Sequence, residues 1–128
     1  MKKIITWFSL TMVSALMCMA FVACTPSSLE KADKKLSAEG YDVQTVEVDK
    51  GGTLIATDFS DKTEPEALYA VLFESKKDAK AYYDKLKSTR VMIEGIKEIL
   101  EVDSVSSPIQ KGKWVYLGTP DAIEDFAD

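Results

Sequence analysis

Behind residue 28 the apolar positions fall into short blocks whose period switches between helical and extended spacing. Leu29, Ala32 and Leu36 recur at helical intervals after a capping-box spacing at Ser27 to Glu30, and Gly40 ends the pattern; a helix is predicted over about 28–39. "YDVQTVEV" and "TLIATDF" flank Asp49-Lys50-Gly51-Gly52 and read as a hairpin, with glycine supplying the turn. The alternation changes phase between Thr45 and Val46, which predicts a bulge there. "ALYAVLF", Ala67 to Phe73, is apolar on both alternating faces, as a strand in mid-sheet must be.

Ser75 reads as the cap of a second helix with Ala79, Tyr82, Tyr83 and Leu86 on one face. In "VMIEGIKEIL" a stripe of Ile93, Ile96 and Leu100 favours helix, whereas Val91 to Ile93 alone would also suit a strand. "VDSVSSPI" and "KWVYLG" form a second hairpin through Lys111-Gly112, and Pro108 makes the first of them an edge or irregular strand. Thr119-Pro120-Asp121 starts a last helix running to about Ala127. The expected fold is α+β: an antiparallel sheet of about five strands with two or three helices, mainly on one face. "KGGTLIATD" and "KGKWVYLGTPD" share an order of turn, strand, Thr and Asp that either duplication or common hairpin chemistry would produce.

The first 23 residues have a different pattern. Lys2 and Lys3 precede a run without charge from Ile4 to Ala23, the layout of an export signal, with the lysines held on the cytoplasmic side. The run also reaches the roughly 20 residues that span a bilayer, so an uncleaved anchor is a competing reading. Its border, Phe21-Val22-Ala23-Cys24, resembles the lipobox of bacterial lipoproteins, with Phe21 where that class most often has Leu. The resemblance implies a diacylglyceryl thioether on Cys24, cleavage by signal peptidase II after Ala23, and acylation of the freed amine. Cys18 is preceded by the larger Met17 and lies inside the signal. The expected organisation is a signal over 1–23, a lipidated Cys24 with a tether to residue 28, and one domain over 29–128. Thr25 to Ser28 span at most about 14 Å, so the domain sits close to the bilayer.

Charge and composition narrow the function. Without Lys2 and Lys3 the chain has 14 Lys and Arg against 21 Asp and Glu, a net charge of −7. Such a domain lacks the basic stripe that nucleic acid requires, and its net charge is repelled by anionic lipid. There is no His, and lipidation consumes the one cysteine behind the signal, which removes His-dependent acid–base chemistry and Cys nucleophiles. Ser28-Leu29-Glu30-Lys31 matches the S-x-x-K of penicillin-interacting enzymes without their companion motifs, and the serine stands where a helix cap is expected. Asp58, Asp61, Glu64 and Glu66 crowd one loop but lack the spacing of a calcium loop. No catalytic residue, metal ligand or cofactor is expected.

Tyr69, Phe73, Trp114 and Tyr116 lie in strands that are apolar on both faces, while one helix layer covers one face. These four aromatics therefore belong either to a core closed by a further segment or to a partner face. Two function classes follow. The first is a lipid-anchored binding or interaction module outside the cytoplasmic membrane of a bacterium, attached through Cys24 and meeting an envelope protein partner. The alternatives are a small carboxylate-dependent envelope hydrolase and a structural envelope protein. A pocket with two carboxylates of raised pKa would favour the hydrolase, and a flat aromatic face the binder.

Overall fold

A computed structural model describes residues 25–48, 51–60 and 64–127. Helix α1 (Leu29–Ala38) leads into strands β1 (Asp42–Val48), β2 (Gly51–Asp58) and β3 (Glu66–Leu72). Helices α2 (Lys76–Ser88) and α3 (Arg90–Leu100) follow, then β4 (Ile109–Lys111), β5 (Trp114–Gly118) and α4 (Pro120–Ala127). The five strands form one antiparallel sheet in the order β1-β2-β3-β5-β4. The α+β class and the five-stranded sheet agree with the sequence pattern.

The helix layer differs from expectation. The described residues form four helices, and they divide between the two faces. Beneath α1 and α4, the side chains of Leu54, Ala56, Leu68, Ala70, Trp114 and Tyr116 meet Leu36 and Phe126. On the opposite face, Ala67, Val115 and Leu117 meet Ala79 and Leu86 of α2 and Ile96 and Leu100 of α3. The reason lies in β3 and β5, whose alternate positions are apolar in both directions, so each face requires its own cover.

Local chemistry accounts for the boundaries. Ser28, one residue later than the Ser27 of the capping-box spacing, accepts a hydrogen bond from the Lys31 N–H (3.2 Å) and caps α1, which accounts for the serine of the S-x-x-K match. Ser75 caps α2 in the same way through the Asp78 N–H (3.1 Å). Helix wins over strand at Val91 to Ile93 because Ile96 and Leu100 must reach the sheet, which leaves Val91 and Ile99 outside. Pro108 confines β4 to three residues, and Gly112, at φ +59°, lies in the tight turn between the paired Lys111 and Trp114.

Two details of the first hairpin depart from the sequence reading. Pairing runs without a slip from Asp42 with Thr57 to Val48 with Gly51, so no bulge forms. The phase change instead separates Val43, packed under α1, from Val46 and Val48, which are exposed on the other face. Gly51 and Gly52 belong to β2 rather than to the turn, whose residues 49 and 50 lie outside the described residues. A Cβ on Gly51 would run into the Leu72 carbonyl of the neighbouring strand. The likeness between "KGGTLIATD" and "KGKWVYLGTPD" does not extend to their glycines: Gly51 is a paired strand residue, whereas Gly112 is in a turn. Common hairpin chemistry is sufficient to explain it.

Candidate functional site

The four aromatics do not share a face. Trp114 and Tyr116 are 2% and 1% exposed and surround Phe126, with ring centroids 5.0 Å and 4.9 Å away. Tyr69 and Phe73 lie on the other side of the sheet against Tyr82: the two phenol oxygens are 2.9 Å apart, and the Phe73 ring is 5.3 Å from that of Tyr82. Both pairs are enclosed by helices, because each strand presents successive side chains to opposite faces. The closing segment foreseen as one option is thus present on both sides, and these rings offer no flat aromatic surface. Burial and the bond to Tyr69 push the Tyr82 phenol above its ordinary pKa.

Cys24, Asp61 and the expected signal lie outside the described residues. The rest of the acidic loop disperses. Asp58 accepts hydrogen bonds from the N–H and hydroxyl of Ser60 (3.1 and 2.6 Å), and Glu66 turns toward Tyr41.

Tyr41 is the centre of a half-buried polar cluster that the sequence reading missed. Helix α1 ends with Gly40 at φ +98°, where the Gly40 N–H bonds Ser37 O and the Tyr41 N–H bonds Leu36 O, each at 3.0 Å. This left-handed ending turns the ring of Tyr41 back onto Leu36 in the core. Its hydroxyl lies 2.6 Å from Glu66 Oε1 and 2.8 Å from Asp125 Oδ2. The phenol thereby joins α1, β3 and α4. Burial, then the two carboxylates, push its pKa far above the ordinary value, so it stays a neutral donor. With Tyr41 between them, Glu66 and Asp125 read as a structural latch rather than as an acid–base pair. Nearby, the Thr119 hydroxyl accepts the Ala67 N–H (3.1 Å) and docks the start of α4 on β3.

A groove of about 690 Å³ lies where α2 hands over to α3 and the 105–108 segment passes beside them. Leu86, Ile93 and Val105 contribute apolar surface, while Lys87 and Arg90, the only arginine of the chain, supply charge. Lys87 Nζ stands 5.0 Å from the centre of the Tyr83 ring, and Glu94 is drawn to Lys97 at 3.1 Å. The acid in the groove is therefore compensated, and its cations face outward. Two of its hydroxyls are already engaged: Ser88 donates to Lys85 O, and Ser106 donates to Ser107 O. An apolar floor with cations at the rim suits binding of an acidic, partly apolar ligand, and supplies no activated nucleophile. Comparison with family models, with characterised proteins and with solved structures found no match for this chain.

Proposed function

We propose that the chain is a lipid-anchored binding module outside the cytoplasmic membrane of a bacterium, held by Cys24 and presenting the Lys87–Arg90 groove to an envelope partner. The observation that carries this reading is the Phe21-Val22-Ala23-Cys24 border two residues ahead of Pro26, whose carbonyl accepts the Trp114 indole N–H at 2.6 Å. A lipid on Cys24 would thus be joined to the folded domain by almost no slack.

The groove supports the binding half of the reading by its position. Gly118, whose carbonyl accepts the Ser106 N–H (2.8 Å), is at the opposite end of β5 from Trp114. A groove bordered by Ser106 and by the end of α2 therefore opens away from the tether, where a partner has access. Mass spectrometry of the protein purified from bacterial membranes tests the anchor. A diacylglyceryl-cysteine at residue 24, and an unprocessed Cys24→Ala precursor, are the expected results; an unmodified N-terminus or a full-length chain with a free thiol refutes it. Arg90→Glu is expected to abolish capture of the envelope partner while leaving the lipid in place.

A further inference from the structure

We infer that the end of the domain next to the tether is a docking face for anionic phospholipid headgroups, formed by Lys76, Lys77, Lys111 and Lys113. This inference rests on the lipid-anchor reading and adds an orientation to it. The hydrogen bond from Trp114 to Pro26 fixes the chain entry at the β4–β5 end of the sheet. Cys24 is two residues further out, within about 7 Å of that point.

The lysines gather around the same point. Lys111 and Lys113 flank Gly112 in the turn, and the Lys113 carbonyl accepts the Phe73 N–H at 2.9 Å. Gln110 Nε2 donates to Lys76 O (3.4 Å) and to Gly112 O (3.2 Å), which holds the start of α2 against the turn. All four side chains are exposed, and none of them makes an ion pair among the described residues. Lys34, Lys80 and Lys97, by contrast, each have an acid at 3.1–3.8 Å. Glu74 and Asp78 lie in the same region, as do Glu47, opposite Gly52 near the end of β1, and Glu30, which is paired with Lys34; the four lysines outnumber the other three acids.

A second group of acids lies at the other end, without lysines from these turns beside it. Asp42, Asp58 and Glu66 close the far ends of β1, β2 and β3, and Glu64 and Asp121 border one depression beside them. The seven residues of β3 separate the two ends by about 20 Å at the strand rise. Screening at physiological salt acts over about 8 Å. The membrane therefore acts on the near lysines and hardly on the distant carboxylates, and the net charge of −7 does not decide the sign of the interaction.

The test uses the full lipidated protein in vesicles of phosphatidylcholine with or without phosphatidylglycerol, isolated by flotation. The acylation rate of each lysine by a water-soluble amine reagent is then read by peptide mass spectrometry. With phosphatidylglycerol, Lys76, Lys77, Lys111 and Lys113 are expected to react severalfold more slowly, at roughly fivefold per lysine held at the surface, while Lys85 and Lys87 at the far end keep their rates. High salt, or the combined Lys→Gln change at the four positions, should abolish the difference from pure phosphatidylcholine in the remaining tether-end amines. Equal rates at both ends, or slowing that is identical without the anionic lipid, overturn the docking face while leaving the anchor intact. Failure to float refutes the anchor itself, and the orientation with it.

Discussion

Trp114 is the point at which the sheet holds the chain ahead of α1, and its removal gives the sharpest test of the structure. The side chain is 2% exposed, packs edge-on to Phe126 and donates its indole N–H to Pro26 O. Burying a Trp withdraws roughly 150–250 Å² from water. At about 25 cal/mol per Å² this is about 4–6 kcal/mol, an upper bound because the unfolded chain already hides part of that surface. Trp114→Ala is therefore expected to cost about 3–5 kcal/mol, much of the margin of a small domain. Trp114→Phe keeps an aromatic ring beside Phe126 but leaves the Pro26 carbonyl without its donor, for a loss of about 1–2 kcal/mol. Denaturant unfolding followed by far-ultraviolet circular dichroism compares the three proteins. Fluorescence serves the wild type alone, since Trp7 and Trp114 are the only tryptophans and Trp7 belongs to the expected signal. A Trp114→Ala protein with an unchanged midpoint would refute the packing described here.

Tyr41→Phe removes the donor that separates Glu66 from Asp125 and is expected to destabilise the fold by about 1–3 kcal/mol. The raised phenol pKa also fixes a sign: above about pH 10 the unfolded chain releases the Tyr41 proton while the folded chain retains it, so stability is full below that pH and falls by about 1.4 kcal/mol per pH unit above it. Tyr82 adds to the same alkaline limb, and the slope should be shallower in Tyr41→Phe than in wild type, as unfolding titrations at alkaline pH would reveal. Two glycines should respond oppositely to alanine in thermal melts. Gly95, inside α3 with nothing within 4 Å of a new Cβ, gains about 0.5–1 kcal/mol, whereas at Gly118 the Cβ would strike the Ala67 carbonyl and cost about 1–3 kcal/mol.

What could be read in the chain was decided by short-range physics. Ser28 and Ser75 announce their helices because a cap acts within three residues, and the double-faced apolar pattern of Ala67 to Phe73 places β3 in mid-sheet without reference to any other segment. The Tyr41 latch joins groups 25 and 84 residues apart, and no local period encodes such a meeting. A partial signal was present: Gly40 predicts a left-handed helix ending, and the residue after such a glycine commonly folds back onto the helix. That rule places the Tyr41 ring in the core and leaves its hydroxyl to be satisfied, but it does not name the partners. The aromatic strands carried an ambiguity that only the placement of helices on both faces could resolve, since the rings of a covered face and of a partner face obey the same alternation.

The charge of the domain shows why a sum over the sequence can mislead about a surface. On the lipid-anchor reading, 14 cations against 21 acids predict repulsion from an anionic bilayer. Antiparallel pairing redistributes them. Because β5 runs opposite to β3, the turn before β5 and the loop after β3 lie at one end of the sheet, and Lys111, Lys113, Lys76 and Lys77 arrive there from positions up to 37 residues apart. The same pairing sends Asp42, Asp58 and Glu66 to the other end, beyond the reach of screened electrostatics. On the same reading, the hydrogen bond from Trp114 to Pro26 selects the end that would meet the lipid. If the chain is anchored through Cys24, its orientation on the membrane follows from strand direction and one indole N–H, and the Lys87–Arg90 groove is turned toward the aqueous side.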